Sequence, residues 1–126
     1  MTAMGFQYVV LRCVPRVDRE EFVNVAVVLY CQDEDFLDVR SHVDRSRLAA
    51  MAPSLDVAAV ESALAAVAAV CRGEESAGAA ARAPLGTRFG FLSAPRSTVV
   101  QPGPIHGGMT DDPARHLDRL LDALVR

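Results

Sequence analysis

The residues best placed to do chemistry lie in one stretch, Ser93 to Gly108, which carries Arg96, Ser97, Thr98, Gln101 and His106 among prolines and glycines. Pro and Gly fix the path of such a segment and aim its polar side chains. A guanidinium, two hydroxyls and turn amides together can hold a phosphate or a carboxylate. The same hydroxyls can instead bond the backbone of a turn, and the sequence weighs the two equally. His106 stands beside Gly107-Gly108. An imidazole is the usual acid or base at neutral pH, and glycine lets a ligand come close. With no visible partner, His106 reads first as a hydrogen-bonding loop residue. His42 and His116 read as surface positions.

A second pair is set by register. Arg12 and Asn24 are the interior polar residues of two apolar runs. If the runs form a hairpin symmetric about the segment 15–21, position 12 faces position 24, and the two side chains are neighbours on one face. A slip of one residue destroys the pairing. The structural alternative for Arg12 is a snorkelling arginine paired with a carboxylate such as Glu20 or Asp38.

No catalytic constellation completes these residues. There is no nucleophile elbow, HExxH, P-loop or GxGxxG. Asp33–Asp35 and Asp111-Asp112 have turn and cap spacing, not the spacing of a calcium loop. Cys13, Cys31 and Cys71 are far apart, with no CxxC, and read as small buried hydrophobes. No metal and no cofactor is expected.

The elements that must position these residues follow from periodicity. Residues 6–14 and 22–31 read as strands, the second almost continuously apolar and so covered on both faces. Residues 36–41 extend the meander. Asp44 caps a short helix, 45–51, ended by Pro53. Ser54 caps a longer one, 55–72, with Val57, Val60, Leu64, Val67 and Cys71 on one stripe and Gly73 as its stop. The Ala/Gly-rich segment 74–84 reads as a mobile loop. Residues 87–92 and 97–101 read as two more strands, and Pro102 to Gly108 as the lead into a last helix. Asp112 caps that helix, Pro113 takes its first position, and Leu117, Leu120, Leu121 and Leu124 form its stripe. The expected fold is α+β: one domain over 1–126, with an antiparallel sheet of about three to five strands and helices packed on one face.

Bulk properties set the class. The chain has 126 residues, 51% of them apolar and 23% charged, enough for a core. Its net charge of −3 argues against a general nucleic-acid binder. The cations are all arginine, which reads as a compositional bias and not as function. No signal-peptide pattern or membrane-length apolar run is visible, so a cytoplasmic location with reduced thiols is expected. The apolar fraction is compatible with a homodimer.

The segments Tyr8 to Pro15, Glu21 to Leu29, Ala94 to Gln101, His106 and Asp111-Asp112-Pro113 resemble the bacterial DUF3037 family, in order and over nearly the whole chain. The chain departs from the family pattern at Ala26, where glycine is frequent, and at Phe91, where tryptophan is expected. The family has no assigned reaction. The resemblance implies a small accessory protein, since actinobacterial members are similar to proteins encoded beside HipA-like kinases. It then makes Arg12, Asn24, Arg96, Ser97, Gln101 and His106 interface or ligand candidates. The expected function is a non-enzymatic partner or regulator of such a kinase. The alternative is a small enzyme or ligand-binding domain that holds an anion with Arg12, Arg96, Ser97 and Thr98 and uses His106 as acid or base.

Overall fold

A long first strand, β1 (Met4–Cys13), is the axis of the molecule in a computed structural model that describes residues 2–126. On one side β1 pairs with β2 (Val23–Cys31), which pairs with β3 (Phe36–Ser41). On its other side β1 holds two short strands end to end. Its C-terminal half pairs with β4 (Val100–Pro102) and its N-terminal half with β5 (His106–Thr110). All pairings are antiparallel, and together they make a five-stranded sheet. With its five α-helices the chain is α+β, as its patterning indicates.

The helices lie on both faces of the sheet, not one. Val9, Leu11, Cys13, Ala26, Val28, Leu37 and Val39 face a layer built on α1 (Arg45–Met51), α2 (Val57–Arg72) and α4 (Leu85–Ser93). Phe6, Val27, Leu29 and Cys31 face α5 (Pro113–Leu124) through Leu117, Leu121 and the following Val125. The cause is β2. Residues Val25 to Leu29 are completely buried, and a strand apolar on both sides must be covered on both.

The caps follow the side-chain chemistry. Asp44 accepts from the Arg47 amide and Asp112 from the Arg115 amide, with Pro113 opening α5. For α2 the cap is Asp56, not Ser54, so the helix starts two residues later than its apolar pattern suggests. Gly73 ends it at φ 71°, the left-handed region that glycine enters without penalty.

Three elements differ from the sequence reading. Residues 87–92 are helical, inside α4, where Phe89 and Leu92 are buried three apart on one face. The strand expected at 97–101 is shorter and later, at 100–102. The Pro/Gly run does not lead directly to α5, because β5 intervenes. The Ala/Gly-rich segment holds a 3-10 turn, Glu75–Ala77, and a single-turn helix, α3 (Ala79–Arg82), with Ala81 buried. No helix is long and apolar enough to cross a membrane.

Candidate functional site

Arg12, Asn24 and Gln101 stand in one row across three strands. Arg12 on β1 is opposite Asn24 on β2 and opposite Gln101 on β4. The expected Arg12–Asn24 pairing is therefore present, and a bulge produces it. The ladder runs Leu11 to Ala26, then Arg12 to Asn24, so Val25 is the extra residue. Strict alternation would put Asn24 on the face of Ala26, in the helix-side core. The bulge gives that place to Val25 and turns Asn24 to the α5 face. There its Nδ2 donates to the Leu124 carbonyl at 3.0 Å, which satisfies one of the free carbonyls at the end of α5.

The Arg12 guanidinium is held by shape. Its Cζ lies 4.0 Å from the centre of the Phe22 ring. Its other flank lies against Gly103, where an added Cβ would clash with Nη2 and come within 3.2 Å of Cζ. Its Nε is buried without a hydrogen-bond partner. The carboxylates suggested as its counterions do not pair with it. Asp38 instead bonds Arg40 at 2.7 Å, and no Glu20 ion pair occurs among the described residues. Gln101 Nε2 donates to the Thr98 carbonyl at 2.9 Å.

His106 lies on the same face, two pleats away along β1. It is a strand residue opposite Tyr8, not a loop residue. The two rings stack with centroids 5.2 Å apart, and Tyr8 in turn stacks on Phe6. His116, read from sequence as a surface residue, is half-buried on α5 and packs 4.5 Å from the Phe6 ring. Desolvation, and secondarily Arg119, push its pKa below the ordinary histidine value, against a smaller upward pull from Asp111.

Arg96, Ser97 and Thr98 are elsewhere. Arg96 and Thr98 line a groove on the helix-layer side of the sheet. Ser97 is exposed in the turn between them. Thr98 Oγ1 donates to the Val100 carbonyl at 2.8 Å, so this hydroxyl serves the turn. Arg96 Nη2 donates to the Phe91 carbonyl at 2.5 Å, and its Cζ sits 4.9 Å from the Phe91 ring centre. No carboxylate among the described residues pairs with Arg96. Its remaining donors are therefore unpaired by charge at the groove mouth.

The structure thus separates what the anion-site reading needed together. Arg12 and His106 share one face of the sheet, while Arg96 and Thr98 lie beyond the other. None of the three principal cavities contains Arg12, Ser97 or His106. The groove at Arg96 is the largest of these, about 740 Å³, and is walled by the small residues of α2, such as Ala63 and Ala66, with Val70, Leu92 and Val100. A second cavity of about 550 Å³ lies under the β1–β2 loop, and its Arg16 and Arg19 are already paired with Asp18 and Glu21.

Two residues matter more here than in the sequence reading, where Phe91 was noted only as a departure from the family pattern and Gly103 was not singled out. Phe91 was placed in a strand, but on α4 it presents 51% of its surface beside Arg96. Its spacing of two from Phe89 is that of a strand, so the local pattern gave no sign of the helix. Gly103 was one glycine among several. Its position between Pro102 and Pro104, opposite the apolar stem of β1, was the available hint.

The cysteines are buried and free. Burial pushes the Cys13 thiol up, and it pushes Cys71 up to about 12, which excludes a reactive thiolate there at neutral pH. Among the described residues no cluster has metal-ligand geometry.

A family model described as "Protein of unknown function (DUF3037)" matches residues 8–125. No curated protein and no solved structure matches.

Proposed function

The chain belongs to the DUF3037 family, and from that premise we propose that it is a binding protein that docks a partner protein on the groove between α2 and α4. One observation carries the reading: Phe91, half exposed, stacks with a charge-unpaired Arg96 at the mouth of a large, mainly apolar groove. Aromatic and arginine side chains beside a fillable pocket are the usual anchors of protein interfaces. Arg96 has donors left for a partner carboxylate, and a bidentate pair there would be directional. The occupant is therefore a segment with small or medium apolar side chains, for the groove, next to an acidic residue, for Arg96.

The partner is a HipA-like kinase. This identification rests on the family resemblance. Arg96→Ala and Phe91→Ala should each weaken binding of the purified kinase at least about tenfold in calorimetric titration. Both should leave circular dichroism unchanged, because both side chains lie outside the buried core. Arg16→Ala, on the other cavity, should bind normally. Wild-type affinity in both groove variants would overturn the proposal.

A further inference from the structure

Among the described residues, β5 is the unguarded part of the sheet edge. An edge strand offers a row of unpaired N–H and C=O groups, and proteins blunt such edges with charge, proline, bulges or cover. The β3 edge carries Asp38 and Arg40. β4 ends in Pro102, and Pro104 follows, neither of which can donate. β5 is His-Gly-Gly-Met-Thr, with no charge and no proline, and its first four residues are exposed. Ile105, just before the strand, and Met109 within it are exposed apolar side chains, at 50% and 63%. The helices pack chiefly on β2 and β3, and none packs substantially on β5.

The two glycines of β5 have different reasons. Gly108 is required inside the chain, since a Cβ there would come within 2.9 Å of the Phe6 ring. Gly107 is not. A Cβ at 107 would meet only the Phe6 carbonyl oxygen, at an ordinary 3.4 Å. Glycine weakens a strand and often marks the close approach of another chain.

We propose that β5 pairs antiparallel with β5 of a second copy, about a two-fold axis at Gly108, and joins the two sheets. In this register His106 faces the partner's Thr110, and Gly107 faces the partner's Met109. Met109 then lies over the bare position at the partner's Gly107, and the two methionines are diagonal neighbours about 7–8 Å apart on one face. The complement of the strand is thus in its own sequence: bulk at 109 opposite a gap at 107, in both directions. The neutral ladder also lets two copies of net charge −3 meet without opposing like charges across it. A five-residue ladder is small beside the roughly 800 Å² per partner of a stable interface, so the dimer is weak and concentration-dependent.

The test is sedimentation equilibrium of the full chain from about 1 μM to 1 mM, the range in which a weak association of this size is read. The mass should rise reversibly from 13.5 kDa towards twice that value. Met109→Lys and Met109→Glu should each raise the dissociation constant at least about tenfold through like charges across the axis. An equimolar mixture of the two should recover a dimer. Val17→Lys, at an exposed site in the β1–β2 loop, should leave association unchanged. A monomer at every concentration, a dimer indifferent to both Met109 variants, or a mixture that fails to associate would overturn the proposal.

Discussion

Arg12 and Gly103 depend on each other. The guanidinium can lie against Gly103, just past the end of β4, because that position has no side chain, and the Phe22 ring closes its other flank. Gly103 is needed for space and not for a special backbone angle, since only Gly73 and Gly78 among the glycines have positive φ. Gly103→Ala should therefore destabilise the fold by about 1–3 kcal/mol, as overpacking does. Urea denaturation measures this. In a double-mutant cycle with Arg12→Ala most of the cost should disappear, because the clash needs both partners. A Gly103→Ala protein of unchanged stability would mean that Arg12 moves aside freely.

At the scale of elements, the hairpin shows what the sequence could reveal. Symmetry about the loop gives Arg12 opposite Asn24, and that pairing is present. The same symmetry extended along the strands would be wrong, because the bulge at Val25 shifts every pair from Leu11–Ala26 onward by one. A bulge has no reliable sequence mark, so the register was legible only near the turn. The cover on both sheet faces was only half legible: an unbroken apolar β2 demands it, yet the expected fold packed the helices on one face. α4 was not legible, because Thr-Arg-Phe-Gly-Phe-Leu alternates aromatics in a strand-like way, and only packing of Phe89 and Leu92 under the helix layer decides it. The separation of the candidate residues onto two faces was not legible, because it depends on the strand pleat and on where β4 begins.

α5 also makes stability pH-dependent through His116. Its folded pKa is depressed, so between that value and the ordinary histidine pKa of about 6.5 the unfolded chain binds more protons than the folded one. This contribution is complete above about pH 7 and declines as the pH falls through that window. The urea midpoint should drop as the pH falls below about 7, and His116→Phe, which keeps a ring against Phe6, should flatten the slope. An identical slope in the variant would contradict the assignment.

For the whole molecule, the sheet divides two surfaces of different character. On the α5 face, an aromatic row and a wedged arginine are largely used by the fold. On the helix-layer face, an apolar groove with Phe91 and Arg96 at its mouth is left open. That places the weight of the functional account on the groove. Amide hydrogen exchange of the chain alone and mixed with a purified HipA-like kinase, the proposed partner, tests it most directly. The account predicts slowed exchange in α4 and in the following turn through Val100, with α5 unchanged. Protection confined to α5 and the Arg12 row, or no change anywhere at saturating kinase, would contradict it.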